Sequence, residues 1–358
     1  MTRPARITVH LDHIIHNTQL ARQLHGQKVL AVIKANAYGH GDQKVAQALS
    51  RYVDGFAVAC LEEAVTLRQS GISQPIILLE GPFTSQEVKE YDHYQLTPVI
   101  HQREQWQWWQ ENNLSHPVWL KVDTGMHRLG FNHDDLIALI NKNTQQPKSH
   151  IAVLMTHLAN ADTLDDEKIK EPLERFKRVV DQFNLKTSIA NSAAIMLHPQ
   201  ARGDWARPGL MLYGVDPLAR NAKDVGLKPA MTFSSQVIAT RWIKAGESVG
   251  YGSLFTAQKP TRVATIACGY ADGYPRSAPT NTPVWINGKV VPLIGRVSMD
   301  MITVDISAHD DIQIGSAVEL WGENIAVAEI ASRSGTLAYE LLCHTQRPGR
   351  EYSLSRVE

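Results

Sequence analysis

An unbroken apolar run, Val29, Leu30, Ala31, Val32 and Ile33, leads directly into Lys34. Such a run predicts a strand buried on both faces, with the lysine at its carboxyl end. An amine emerging from an apolar strand is poorly solvated, which leaves it nucleophilic at neutral pH. Schiff-base formation with an aldehyde needs such an amine. The alternative for a lone lysine is a stem that snorkels its charge into water, and position alone favours that alternative. Other chemistries have less support. Cys60, Cys268 and Cys343 are far apart and read as packing residues, and the 15 histidines form no H-E-x-x-H. No metal site is therefore expected. Lys and Arg total 36 and Asp and Glu total 36, so no basic field exists to hold nucleic acid or an anionic membrane. A small neutral or zwitterionic ligand fits better.

The lysine needs a frame. Further short β-branched runs follow at 54–60, 75–80, 96–100, 117–123, 150–157, 186–191 and 208–214. Helical periodicity fills most gaps, as at 43–50, 62–69, 133–142 and 167–183. Eight strands alternating with helices match a (β/α)8 TIM barrel, whose functional groups sit at the carboxyl ends of the strands. A doubly wound sheet is the alternative on pattern alone, but no G-x-G-x-x-G follows the first strand. After about residue 228 the helical windows give way to strand-like stretches, with a hairpin signal at Asn287-Gly288. The fold class expected is α/β: a barrel over 5–228, then a mostly-β domain over 229–358. Residues 5–11 alternate like a strand and fit either part. Three cysteines, no signal-like apolar segment near Met1 and no apolar run of ~18 residues point to a cytoplasmic protein.

The segment around the lysine, AVIKANAYGHG at 31–41, resembles the pyridoxal phosphate (PLP) motif of the alanine racemase family. The resemblance implies that Lys34 carries the cofactor covalently and that Tyr38 helps hold its phosphate. It continues in order along nearly the whole chain. LKVDTGMHRLG (120–130) implies that Arg128 contacts the cofactor's phenolic oxygen and substrate, and that Lys121, a residue open to carbamylation, braces it. MTHLANAD (155–162) implies a supporting role for His157. Asn191 and Ser192 match the phosphate turn. ARPGLMLYG (206–214) implies that Arg207 faces the pyridine nitrogen and that the Gly209 and Leu210 amides meet the phosphate. In the C-terminal part, Tyr251 matches the second catalytic base, Tyr270 the entrance tyrosine, Met299 and Asp300 the substrate pocket, and Tyr339 a further phosphate contact. Ser298 and the tail QRPGREY depart from the family pattern.

These implied roles are chemically coherent. Arginine cannot take a proton from the pyridine nitrogen, so the ring stays neutral and a neighbouring carbanion is short-lived. That suits simple removal and return of a proton. Racemisation needs a proton exchanged on each face of one carbon, and Lys34 and Tyr251 provide two fixed bases. Tyrosines ordinarily titrate near 10, so one acts as a base only where its anion is stabilised. The resemblance thus implies a PLP-dependent enzyme interconverting L- and D-alanine for peptidoglycan. It also implies a homodimer in which Tyr251, Tyr270, Met299 and Asp300 of one subunit complete the site of the other. A PLP decarboxylase would need an acid facing the ring, which Arg207 opposes. A non-enzymatic PLP carrier would need only the barrel.

Overall fold

The computed structural model describes residues 3–112, 114, 116–145, 150–165, 167–218, 220 and 222–354. The chain opens with strand β1 (Arg6–His10). Eight strands then close into a parallel barrel: β2 (Lys28–Val32), β3 (Gly55–Val58), β4 (Ile76–Leu78), β5 (Thr97–Ile100), β6 (Pro117–Lys121), β7 (His150–Met155), β8 (Lys186–Asn191) and β9 (Trp205–Arg207). Closure is made by β2 against β9, with Lys28 opposite Trp205 and Val29 opposite Ala206. Strands buried on both faces are nearly all apolar, as β2 and β3 show. Helices Asp42–Leu49, Leu61–Gln69, His133–Gln145 and Glu167–Val180 fall on the windows with helical periodicity. Helix Arg103–Glu111 buries Trp106 and Trp109 on one face, and Trp109 meets Tyr91 edge to face. Among the described residues no helix is long and apolar enough to cross a membrane.

One strand lies elsewhere than expected. The eighth is Trp205–Arg207, upstream of the apolar run at 208–214, whose Leu210–Tyr213 forms a 3-10 turn. Pro208 has no N–H with which to extend the ladder. Four consecutive buried side chains at 210–213 then imitate a strand, because a short apolar run has no diagnostic period.

The second part is built on the long strand β10 (Met231–Ile243). It is followed by β11 (Ser248–Val249), β12 (Phe255–Thr256), β13 (Thr261–Ile266), β14 (Pro283–Ile286), β15 (Lys289–Pro292), β16 (Ile302–Asp305), β17 (Ala317–Trp321) and β18 (Gly349–Ser353). The principal sheet runs β15-β14-β17-β10-β1-β18, and β13 pairs with β10 and β16. Asn287 and Gly288 have φ of 46° and 84° and turn β14 into β15. β1 belongs to this sheet, antiparallel to β10 and parallel to β18. Two short helices, Val327–Arg333 and Ala338–Cys343, follow β17 and are separated at Gly335, whose φ is 69°. The second of these carries the domain's contribution to the barrel mouth.

Candidate active site

Lys34 stands two residues beyond β2, half-buried, at the start of an unusual turn. Ala35, Asn36, Ala37 and Tyr38 all have φ between 52° and 54°, a left-handed helical turn. Left-handed backbone costs about 1–2 kcal/mol for each residue with a Cβ. Several groups hold it. The Ala35 N–H donates to Glu63 Oε1 at 2.6 Å, and the other Glu63 oxygen accepts from Ala59. Asn36 accepts from Gly41 N and Asp42 N. The buried His40 ring stacks on Tyr213 and donates its Nδ1–H to the carbonyls of Ala37 and Tyr38. Burial holds the His40 imidazole down to about 3, so the ring stays neutral.

The turn faces a cavity of about 690 Å³ at the carboxyl ends of the barrel strands. Lys34, Tyr38, Lys121, Arg128, His157, Asn191, Ser192, Arg207, Gly209, Leu210 and Tyr339 all line it. Part of the wall suits a phosphate. Tyr38 stacks on Tyr213 at 4.9 Å and tilts against Tyr339 at 5.7 Å. Burial, then the neighbouring Tyr339, pushes the Tyr38 phenol up, and burial pushes Tyr339 up too. Both phenols keep their protons and remain donors. A Cβ on Gly209 would lie 2.8 Å from the Tyr38 hydroxyl, so the cradle has room for glycine only. Ser192 Oγ accepts from Gly209 N at 2.9 Å and Met211 N at 3.2 Å. The Gly209 amide is thus occupied within the chain, and Leu210 N makes no hydrogen bond to another described residue. Asn191 Oδ1 caps helix Ser192–Leu197 by accepting from Ala194 N.

Across the cavity, Arg207 ends β9, almost wholly buried. It donates to Ser188 Oγ at 2.6 Å, Thr156 O at 2.7 Å and Ile189 O at 3.1 Å. Its Nη2 also lies 3.3 Å from His157 Nδ1. None of these partners is a carboxylate. Burial pushes Arg207 down to about 9, which still leaves it protonated at neutral pH. Burial, then Arg207, brings His157 down to about 3. The neutral imidazole must accept at Nδ1 from the guanidinium, so its proton resides on Nε2. Lys121 ends β6, buried, and burial, then Arg207 and Arg128, lowers it to about 8. Arg128 is exposed on the loop beyond β6. That loop is tied by Asp123 Oδ1, which accepts from the amides of Gly125, Met126 and His127.

Four of the expected residues do not line this cavity. Tyr251, Tyr270, Met299 and Asp300 stand on turns of the β-rich part, and Tyr251 is 72% exposed. Cys343, expected as packing, lines the cavity itself. Sequence reading missed Glu63, Thr156 and Ser188. Glu63 and Ser188 lie outside the quoted motifs, Thr156 meets Arg207 through its backbone carbonyl, and only the fold brings them to Ala35 and Arg207.

The chain matches the family models described as alanine racemase, N-terminal domain, over residues 9–217 and alanine racemase, C-terminal domain, over 230–352. It is 46% identical over 354 residues to a protein named alanine racemase from Xanthomonas campestris pv. campestris, covering 98% of both chains. It is 44% identical over 353 residues to one named alanine racemase, catabolic, from Pseudomonas putida, covering 98% of this chain and 99% of that one. The biosynthetic alanine racemase of Pseudomonas aeruginosa superposes with a TM-score of 0.95 at 44% identity, covering 98% of this chain and all of the other. The alanine racemase of Bartonella henselae with covalently bound pyridoxal phosphate gives 0.91 at 34% identity, covering 98% and 99%.

Proposed function

The chain belongs to the alanine racemase family, a PLP-dependent isomerase interconverting L- and D-alanine, and on that premise we propose how its own residues divide the work. When bound, pyridoxal phosphate supplies an electron sink that acidifies the α-proton of the amino acid. Lys34 would hold the cofactor, and its amine would move a proton at one face of the substrate α-carbon. The partner subunit's Tyr251 moves a proton at the other face through its phenolic oxygen. The His157 Nε2–H would donate to that oxygen, with Arg207 on the other ring nitrogen, and the pair would favour the phenolate. Tyr38, Tyr339, Ser192 and the Leu210 amide bind the phosphate, with Asn191 and Gly209 shaping its turn. Arg207 would face the pyridine nitrogen when the cofactor is bound and, being no proton acceptor, would keep the ring neutral. Arg128 orients the substrate carboxylate and the cofactor's phenolic oxygen. Lys121, lowered to about 8, offers a neutral amine for carbamylation, and the carbamate would brace Arg128.

The observation that carries this reading is one cavity on which Lys34 and the Arg207–His157 pair converge. Sharing of sites in a homodimer is supported by the exposed Tyr251, Leu254, Met299 and Met301 on the β-rich part, away from the cavity. In the dimer Tyr270, Met299 and Asp300 would narrow the mouth around a methyl side chain. A cytoplasmic enzyme supplying D-alanine to peptidoglycan follows from the family's usual role, with a barrel domain over 5–228, whose β1 pairs into the β-rich sheet, and a β domain over 229–358. The test is an absorbance spectrum of the purified protein, then racemisation of alanine, serine and lysine. Lys34→Ala should abolish both the cofactor band and the activity. Retention of both would overturn the assignment.

A further inference from the structure

Outside the cavity, one wholly buried carboxylate stands where distant segments meet. Asp272 closes the turn Tyr270–Asp272 and accepts the Gly269 N–H at 3.0 Å. Arg3 reaches it as a fork, Nη2 to Oδ2 at 2.6 Å and Nε to Oδ1 at 3.3 Å. The same Nη2 donates to the Asp300 carbonyl at 2.7 Å. From beyond helix Ala338–Cys343, Arg347 Nη1 donates to Asp300 Oδ1 at 2.6 Å, and its Nε lies 3.7 Å from Asp272 Oδ1. Two arginines, one before β1 and one before β18, therefore bracket the turns that carry Tyr270, Met299 and Asp300.

Those turns belong to no long element and are held by short-range backbone bonds and by these charged contacts. Tyr270 belongs to a three-residue 3-10 turn, and Ser298–Met301 lies outside any strand or helix. They meet backbone to backbone, with Tyr270 N donating to Ser298 O and Ala271 N to Met299 O, each at 3.0 Å. Gly269 sits so close to both carbonyls that a Cβ would overlap them. This contact sets the spacing between Tyr270 and Met299, and Asp272 is its anchor. A forked arginine–carboxylate pair fixes orientation as well as distance. Removing one member of a buried pair leaves the other charge uncompensated, so the turn would relax.

We infer that Arg3 and Arg347 are positioning residues that, through Asp272 and Asp300, hold Tyr270 and Met299 at the mouth of the partner subunit's site and thereby set its affinity for a small amino acid. The inference rests on the proposed sharing of each site between two subunits. Arg3→Gln holoenzyme should show KM for alanine raised roughly 10- to 100-fold, the range open to one charge-assisted hydrogen bond, with kcat little changed. Arg3→Lys keeps the charge and should recover part of the loss. A purely structural role would lower kcat and thermal midpoint together at constant KM, and that result would refute the inference.

Differently tagged, co-expressed hybrid dimers separate the levels. A hybrid of Lys34→Ala with Tyr251→Phe retains one intact site only if sites are shared, and a dead hybrid overturns the shared-site reading. Pairing Lys34→Ala/Arg3→Gln with an unaltered chain leaves one working lysine, served by the altered entrance, so KM should rise. Pairing Lys34→Ala with Arg3→Gln leaves the working lysine served by an intact entrance, so KM should be normal. Equal KM in the two arrangements, with the first hybrid active, would refute the clamp alone. Should Arg3→Gln not fold, the same pairings with Arg347→Gln carry the test, because its partner Asp300 is partly exposed.

Discussion

Gly209→Ala probes the phosphate cradle directly. The glycine's φ is −122°, a value alanine also adopts, so the penalty lies in space rather than backbone handedness. The added Cβ would stand 2.8 Å from the Tyr38 hydroxyl and 3.4 Å from its Cζ. To reach ordinary contact the hydroxyl must retreat by about half an ångström. Tyr38 cannot retreat freely, because it is stacked on Tyr213 and backed by Tyr339. Overpacking of this kind costs about 1–3 kcal/mol. If the displaced phenol also loses a charge-assisted hydrogen bond to the phosphate, a further ~1.5–3 kcal/mol goes from cofactor binding. PLP affinity of the apoenzyme should then fall roughly 10- to 100-fold. Fluorescence titration of apoenzyme with PLP reads that loss, and the apoenzyme's thermal midpoint reads the packing cost separately. Tyr38→Phe removes the clashing oxygen, so the double variant should bind PLP little worse than Tyr38→Phe alone. Unchanged affinity in Gly209→Ala, or full additivity in the double variant, would refute the placement of Tyr38 on the phosphate.

Three further outcomes follow from the same geometry. Tyr251→Phe should suppress α-proton exchange with solvent from one alanine enantiomer far more than from the other, read by deuterium incorporation; equal suppression would remove it as a face-specific base. His157 sits at about 3 in the folded protein against an ordinary 6.5, burial being the first cause and Arg207 the second. The unfolded chain thus binds the extra proton between those values, and stability drains as pH falls from about 6.5 towards 3, with a slope approaching one proton; His157→Gln should flatten that limb in pH-dependent denaturant melts. Lys121 is lowered to about 8 from 10.5, so its contribution to stability rises with pH across that window. Bicarbonate should raise the thermal midpoint near pH 8, fade as the ammonium form returns towards pH 6, and have no effect in Lys121→Met; an equal rise in that variant would exclude a carbamate at Lys121.

Much of the barrel was legible because both-face burial writes itself as short apolar runs, and seven of the eight run from β2 to β8. The eighth was misplaced because Leu210–Tyr213 is equally apolar while serving as a 3-10 turn. The hairpin at Asn287-Gly288 was legible because its φ values demand those residue types. The partner of β1 was not, since an alternating strand states which face it buries and not against what. At the site, Lys34 was a candidate from its setting, although position alone favoured a snorkelling stem, and its role came from the resemblance like those of the remaining expected residues. Glu63, Ser188 and Thr156 left no trace because their bonds to Ala35 and Arg207 join residues 19 to 51 positions apart. The left-handed backbone after Lys34 was equally hidden, for Ala35, Asn36 and Ala37 are ordinary residues whose types do not announce positive φ.

That turn explains why the proposed cofactor lysine depends on both parts of the chain. Four consecutive Cβ-bearing residues in the left-handed region carry a strain of several kcal/mol, at about 1–2 kcal/mol each. Such strain persists only where the surroundings over-determine it. Glu63 and His40 hold it from the barrel side. From the other side the β-rich part closes directly on the two glycines: a Cβ on Gly39 would fall on the Leu342 carbonyl, and one on Gly41 on the Tyr352 hydroxyl. Leu342 lies in helix Ala338–Cys343 beside Tyr339, and Tyr352 lies in β18 beside β1. The backbone that presents Lys34 is thus clamped by helix Ala338–Cys343 and β18. A barrel without them would keep the lysine in its sequence and lose the conformation that aims it, which is the physical reason a lone barrel is a poor alternative for this chain.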